Sequence, residues 1–170
     1  MVAVTIHSSH PFAGPTREPG RRFRGRLGGR VSLWTAGAGA GRAGLTVTSL
    51  LAVGGDPWRL VAALDPDAEL TDELASIGRA VVTLLTSGQL RLAEGFGGEP
   101  APGGAFRIGD WVDTPWGPHP AEATTWAGVE LESQLTVGWS LLVTCRLAMA
   151  EIADDEPPPL LHYRGRYSSM

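Results

Sequence analysis

The sequence lacks lysine altogether and has little cysteine. All 14 basic residues in the 170-residue chain are arginines, so there is no amine for Schiff-base chemistry and no lysine to act as an acid or base. The single cysteine, Cys145, excludes an internal disulfide and indicates a reducing compartment. No apolar run approaches the roughly 20 residues of a membrane span, and residues 1–6 show no signal-peptide pattern. We therefore expect a cytoplasmic protein.

Motifs of several functional classes are also missing. The chain has no Gly-x-Ser-x-Gly elbow, no P-loop and no Gly-x-Gly-x-x-Gly segment opening a βαβ unit. The histidines His7, His10, His119 and His162 do not combine with one cysteine into a zinc-ligand spacing. A net charge of −4 gives no general attraction to nucleic acid or anionic membranes. We expect neither metal nor nucleic-acid binding.

The length and composition of the chain are typical of one folded domain. The hydrophobic fraction is 43% and the charged fraction 19%, both ordinary for a globular chain. Residues 1–29 are rich in Pro, Gly and Arg and are predicted to form an N-terminal arm. Residues 30–170 then form the domain.

Strand patterns dominate this domain. Strands are predicted at 30–36, 43–53, 58–64, 79–85, 129–137, 141–149 and 160–167, and helices at 65–77 and 86–96. Residues 106–120, rich in Trp, Gly and Pro, are expected to be irregular. Many short strands with only two short helices favour a closed or partly closed antiparallel barrel.

Period-two alternation predicts which strand residues point inward. In the 43–53 strand one face should hold Leu45, Val47, Leu51 and Val53, and the other Thr46 and Thr48. In the 129–137 strand the inward face should hold Val129, Leu131, Leu135 and Val137. The 58–64 strand is almost wholly apolar, which predicts burial on both faces.

Three segments, taken in order and spacing, carry more information than any single motif. They are VSLWTA at 31–36, GLTVTSLLAVGGDP at 44–57 and LLHYRGRY at 160–167. Together they resemble the flavin reductase-like family, the FMN-binding split β-barrels. The resemblance implies a mainly β, Greek-key-like antiparallel split barrel with two or three short helices, acting as a homodimer with flavin at the subunit interface.

The resemblance also implies an activity. Such a protein would transfer a hydride from NAD(P)H to FMN, with FAD or riboflavin as other candidates, and would supply reduced flavin to a partner monooxygenase. Hydride transfer needs two stacked rings and little acid–base help, so the missing catalytic motifs are compatible with it. The alternative is a non-catalytic split-barrel protein that binds flavin or another small molecule and has lost reductase activity.

Residues at the family's motif positions form two implied groups. The cofactor-binding group is Thr35, Ala36, Thr46, Val47, Thr48, Ser49, Asp65, Ala68 and Leu85. The group on the nicotinamide side is Trp139, Ser140, Tyr163, Arg164, Arg166 and Tyr167.

Two segments depart from the family pattern. Residues 65–68 read Asp-Pro-Asp-Ala where members often have an Asn-Arg-x-Ser-like segment that helps bind the flavin phosphate. Acidic side chains there would repel a phosphate, so Arg30, Arg42 or Arg79 compensates, the phosphate binds elsewhere, or riboflavin or no flavin is bound. Residues 138–140 read Gly-Trp-Ser where members often carry a histidine near the nicotinamide.

Overall fold

A computed structural model of the protein describes residues 19–169. The helices are α1 (Pro19–Leu27), α2 (Glu69–Ile77) and α3 (Leu90–Phe96). The strands are β1 (Gly29–Arg30), β2 (Ser32–Ala36), β3 (Ala43–Val47), β4 (Leu50–Val53), β5 (Arg59–Leu64), β6 (Arg79–Leu84), β7 (Trp111–Thr114), β8 (Gly117–Pro120), β9 (Thr125–Val137), β10 (Ser140–Ile152), β11 (Leu160–Tyr163) and β12 (Arg166–Ser169). No helix within residues 19–169 is long and apolar enough to cross a membrane.

The main sheet has seven antiparallel strands in the order β3-β2-β6-β9-β10-β5-β4. Its two edge strands, β3 and β4, follow one another along the chain and are separated only by Thr48 and Ser49. Three residue steps span at most about 11 Å, so the two edges must lie close together and the sheet must curl. The expected mainly β, antiparallel split barrel is confirmed.

The sheet buries side chains on both of its faces. One core cluster lies inside the curl and includes Trp34, Leu64 and Val129, with Leu70 and Leu74 of α2 covering it. A second cluster lies on the opposite face of β2 and is covered by α3 and β11. Every residue of β2 is therefore buried, including the polar Ser32 and Thr35, whose hydroxyls donate to Val47 O and Pro118 O.

A smaller sheet and a hairpin complete the described structure. Strands β1, β11 and β12 form the smaller sheet, and Arg164 N–H in its last turn donates to Gly25 O of α1 at 2.8 Å. Strands β7 and β8 form an antiparallel hairpin against β2 and β6. The expectation that residues 106–120 are irregular is thus wrong for 111–120, where tryptophan and proline conceal a hairpin.

The predicted single strand at 43–53 is also wrong, because the chain bends at Thr48–Ser49. Leu45 and Val47 face the core, but Leu51 is 62% exposed because the bend exchanges the two faces. Leu50 packs inward in its place.

A second exchange of faces occurs in β9. The ladder with β10 shifts register between Thr144 and Cys145, where β9 accommodates an extra residue. Val129 is buried before this bulge, whereas Leu135 beyond it is 63% exposed. The expectation that Leu135 and Val137 point inward is therefore wrong, and Trp58, expected within a doubly buried strand, is exposed and precedes β5.

We predict that Gly44→Ala destabilises the fold. A Cβ at Gly44 would lie 2.5 Å from Cε1 of Phe96. That ring is held edge-on by Phe106 and Trp111, with centroids 4.9 and 5.7 Å away, and has little room to move. We expect a loss of about 1–3 kcal/mol in the free energy of unfolding, measured by urea denaturation.

Gly41→Ala is the matched control for that variant, because a Cβ at Gly41 meets no atom within 4 Å. Its unfolding free energy should stay within about 0.5 kcal/mol of the parent value. Equal stability of the two variants would show that α3 does not pack on β3 as described.

Candidate functional site

The bend at Thr48–Ser49 places two neutral polar residues of the predicted cofactor group outside strands β3 and β4. Ser49 is exposed, and its Oγ donates to Ala63 O at 2.7 Å. Thr48 is half-buried and lies outside both strands. Gly29 passes so close that a Cβ there would lie 2.9 Å from Thr48 O. The bend therefore combines neutral hydroxyl and peptide groups with the aliphatic surface of β4.

Thr46 has a bonding partner within the protein. Its Oγ1 donates to Ala93 O of α3 at 2.8 Å, and the Tyr167 hydroxyl approaches the same carbonyl oxygen at 3.4 Å. Burial, with a smaller contribution from Glu94 and Glu99, raises the pKa of Tyr167 above its usual value. The two hydroxyls thus tie β3 and β12 to α3, linking one residue of each predicted group.

Four other residues of the predicted cofactor group are buried in the described fold. Ala36, Val47 and Leu85 belong to the two core clusters. Thr35 is fully buried and its Oγ1 donates to Pro118 O. In a single copy these side chains shape the strands beneath the bend, and direct contact with a ligand by any of them stays a prediction.

The turn before α2 makes several hydrogen bonds within itself. Asp65 Oδ1 accepts the N–H of Asp67 at 2.9 Å, and Asp65 O accepts the Thr71 hydroxyl at 2.7 Å. Ala68 occupies the cap position without a side-chain bond, and Glu69 and Asp72 lie in the first turn. The Asp65 carboxylate already accepts an amide N–H of the turn, and the other acidic side chains add negative charge around it. This turn therefore does not fit a phosphate.

Two of the three arginines considered as compensating cations are engaged elsewhere. Arg30 forms an ion pair with Glu156 at 3.0 Å, and this bonded guanidinium is the main reason that the pKa of Glu156 lies below its usual value. Arg42 lies over the ring of Phe106 at 4.6 Å and donates to Gly39 O. Arg79 is exposed at the start of β6.

The residues predicted for the nicotinamide side lie on two different hairpins. Trp139 is exposed in the turn between β9 and β10, and Ser140 begins β10. Tyr163, Arg164, Arg166 and Tyr167 lie on the β11–β12 hairpin of the smaller sheet. Arg164, in the turn between β11 and β12, has a positive φ of 52°.

An apolar outer face is the feature that sequence reasoning missed. It is formed where β4, β5, β10 and β9 lie side by side, and we define it by Leu51, Val53, Val61, Leu135, Val137 and Leu142. Leu51 and Leu135 are its most exposed members. A contiguous apolar face of this kind marks an interaction site. No alternation pattern could reveal it, because the bend and the bulge each exchange inward and outward positions.

A cavity of about 470 Å³ is lined by none of the predicted residues, although two of its lining residues, Glu94 and Glu99, also act on Tyr167. It is lined by α3 and the following loop, with Arg91, Glu94, Glu99 and Arg107 among its charged residues. Its lining is charged, whereas the two bend residues, Thr48 and Ser49, are neutral.

The geometry defines a class of protein: a curled antiparallel half-barrel with a polar bend between its edge strands and an apolar outer face. Residues 24–170 match the family model described as flavin reductase like domain, and the chain belongs to that family.

Curated relatives carry related names. An FMN reductase (NADH), RutF, of Stutzerimonas stutzeri (strain A1501) is 26% identical over 172 residues, covering 100% of this chain and 98% of the relative. RutF of Ancylobacter novellus is 30% identical over 96 residues. That match covers 56% of this chain and spans about half, 53%, of the relative.

Solved structures share the fold. The NADH:FAD oxidoreductase SgcE6 of Streptomyces globisporus C-1027, in complex with NAD and FAD fragments, has a TM-score of 0.80 at 22% identity, covering 88% of this chain and 90% of that one. The styrene monooxygenase flavin reductase SMOB of Pseudomonas putida S12 has a TM-score of 0.79 at 21% identity, covering 90% and 97%. At such identities the likeness shows the fold alone.

We predict that Asp65→Asn combined with Asp67→Ser tightens FMN relative to riboflavin. The variant removes two negative charges, and the introduced asparagine keeps an oxygen able to cap the turn. The ratio of the two dissociation constants, measured by fluorescence titration, should shift toward FMN by roughly tenfold, equivalent to ~1.4 kcal/mol. An unchanged ratio would mean that the negative charge of this turn does not act on the flavin phosphate.

Proposed function

We propose that this chain is an NADH-dependent flavin reductase that acts as a homodimer and passes reduced flavin to a separate monooxygenase. The reductase unit comprises residues 30–170, preceded by the arm at 1–29. We place it in the cytoplasm on composition, since a chain whose single cysteine, Cys145, cannot form an internal disulfide fits a reducing compartment.

The observation that carries this proposal is the end-to-end match to a relative named FMN reductase (NADH), which covers 100% of this chain and 98% of that protein. The shared fold with SgcE6 and SMOB supports it, because their names include NADH, FAD and a monooxygenase system. FMN is the flavin we propose first, with FAD and riboflavin as the other candidates.

The bend fits the ring of a flavin. A flavin's pyrimidine edge needs a few neutral donors and acceptors, and its tricyclic ring needs apolar surface. Thr48 and Ser49 would supply hydroxyl and peptide groups, and β4 would supply the apolar surface. Beneath them, the Thr46 bond to Ala93 O fixes β3.

The chemistry a flavin supplies is acceptance of a hydride from a reduced nicotinamide. This chain's contribution would be to hold two rings face to face and to exclude water, which is a positioning task. Tyr163 and Arg166 on the β11–β12 hairpin, and Trp139 in the β9–β10 turn, are the proposed borders of the nicotinamide side. The acidic turn at 65–68 does not fit the flavin phosphate.

The apolar outer face supports the homodimer. Its exposed leucines and valines would be costly to leave in water, and an identical face on a second copy is apolar in the same way. The face begins at the bend, since Leu51 follows Ser49 by two residues. Dimerisation there would bring a second copy to the edge of the proposed flavin site.

Two observations favour the non-catalytic alternative. Asp65, Asp67 and Glu69 surround the turn where the family pattern has a phosphate-binding segment, and residues 138–140 lack a histidine. A flavin or small-molecule binder without reductase activity would retain the barrel and tolerate both changes.

Titration of the purified protein with FMN tests the proposal. We expect the visible absorbance spectrum of FMN to shift on binding, and NADH added to the complex to be oxidised with loss of its near-ultraviolet absorbance. A spectrum unchanged at saturating FMN would contradict flavin binding. Binding without NADH oxidation would support the alternative.

Introducing charge on the outer face tests the dimer. We predict that Leu51→Asp with Leu135→Asp raises the dimer dissociation constant at least 100-fold, about 2.7 kcal/mol, because two carboxylates would be buried. Sedimentation velocity measures this. The control is Ile152→Asp, which replaces an exposed apolar residue near the other end of β10. A wild-type protein that sediments as a monomer would contradict the homodimer.

A further inference from the structure

Charge is distributed very unevenly along this chain. Residues 19–30 and 157–170 contain seven arginines and no aspartate or glutamate. Residues 31–156 contain six arginines and 17 acidic residues, an excess of eleven negative charges. The molecule therefore joins a basic terminal unit to an acidic barrel, and its modest net charge of −4 conceals this polarity.

The basic unit is assembled from both ends of the described chain. Arg164 N–H donates to Gly25 O at 2.8 Å, and a Cβ at Gly28 would lie 3.3 Å from the Tyr163 ring. Helix α1 is thereby fixed against the β11–β12 hairpin. We define the basic patch by four exposed arginines and three exposed apolar or aromatic residues: Arg22, Arg26, Arg164, Arg166, Phe23, Leu27 and Tyr163.

The composition of the basic patch is that of a protein-binding surface. Phe23 is 69% exposed and Leu27 is 70% exposed, and they lie four residues apart on one side of α1. Aromatic residues and arginine are enriched at protein interfaces. None of the three ion pairs among residues 19–169 involves Arg22, Arg26, Arg164 or Arg166.

The opposite charge is concentrated at the start of α2. We define the acidic cluster by Asp65, Asp67, Glu69 and Asp72, all of them exposed. Residues 60–78 contain no arginine or histidine, so nothing in this segment neutralises them. The cluster is charge-complementary to the basic patch.

The basic patch and the acidic cluster are both connected to the bend at Thr48–Ser49. Gly29, two residues beyond α1, lies close to the Thr48 carbonyl, since a Cβ added at Gly29 would lie 2.9 Å from Thr48 O. Ala63 N–H donates to Ser49 O at 3.2 Å, and Asp65 follows two residues later. The bend also begins the apolar outer face. The basic patch, through Gly28 and Gly29, and the acidic cluster, through Ala63, are thus both joined to the bend at which that face begins.

We infer that the basic patch of one copy docks on the acidic cluster of a second copy, at the rim of the dimer formed by the apolar outer face. This inference rests on the homodimer in the proposed function. In a two-fold dimer each contact occurs twice, so a rim with one basic and one acidic side can pair with itself. Complementary rim charges also select the partner and make association depend on salt.

The contact has a consequence for the flavin site. Arginines of a second copy would offset the carboxylates of the 65–69 segment, where this chain alone repels a phosphate. The negative charge at the start of α2 would then serve to recruit a second copy.

Other anionic occupants are less consistent with the molecule. A nucleic acid would meet an excess of eleven negative charges on residues 31–156. An anionic membrane would have to engage a nine-residue helix with two exposed apolar side chains, fixed to a hairpin. A second copy supplies both an acidic surface and apolar area.

Charge reversal tests the inference on the full chain. One variant is Arg22→Glu with Arg26→Glu, another is Asp67→Arg with Glu69→Arg, and a third combines all four. We expect each two-site variant to raise the dimer dissociation constant at least tenfold at 50 mM NaCl, and the four-site variant to recover to within about threefold of wild type. Sedimentation equilibrium provides the constants, and raising NaCl to ~300 mM should shrink the effects.

The matched control is Arg91→Glu with Arg107→Glu, at the cavity beside α3. It changes the net charge as much as Arg22→Glu with Arg26→Glu does, and we expect it to dimerise as the wild type does. Recovery in the four-site variant also excludes misfolding as the cause. Wild-type dimerisation of both two-site variants would overturn the inference, and so would a four-site variant that dimerises no better than either. Both results would leave the homodimer and flavin binding intact.

A different result would assign the basic patch to a membrane surface and also overturn the inference: the Arg22→Glu, Arg26→Glu variant dimerises normally but loses binding to phosphatidylserine vesicles. A monomeric wild type that still reduces flavin would overturn the inference and the dimer but not the reductase activity.

Discussion

The structure depends on a length constraint between two strands. The edge strands β3 and β4 of the seven-stranded sheet are consecutive along the chain, and only Thr48 and Ser49 connect them. So short a connection cannot cross an open sheet, so the sheet curls until its edges meet. The inner core, the cover provided by α2 and the outer face all follow from this curl.

The same bend gives the molecule its candidate site. Because the chain turns there, Ser49 and Thr48 present polar groups between two apolar surfaces, and β4 exchanges its inward and outward residues. The bulge in β9 makes a second exchange. Together they bring Leu51, Val53, Leu135 and Val137 to one outer surface, where the alternation pattern predicts four core residues. One pair of backbone irregularities thus accounts for both the exposed polar bend and the apolar outer face.

Much of the fold could be predicted from the sequence because local patterns and tertiary burial agree in most elements. The buried run at β2, the strand at β6 and the Thr86–Gln89 capping interaction at the start of the α3 region are examples. Alternation alone predicts neither the bend nor the bulge: a serine, Ser49 or Ser133, interrupts the apolar positions near each, but nothing in the pattern shows that the two faces exchange there. The candidate site residues could be predicted only from the resemblance to the flavin reductase-like family. The structure then showed that the hydroxyls of Thr46 and Thr35 donate to carbonyls of the protein itself, contacts between distant segments that no local pattern encodes.

The central claim is that flavin binds at the bend between β3 and β4. Amide hydrogen exchange of the wild-type protein with and without saturating FMN tests this most directly. The account predicts slowed exchange at residues 47–53 and little change in the loop at 97–109. Slowed exchange confined to 91–109, around the cavity beside α3, with residues 47–53 unaffected, would contradict it.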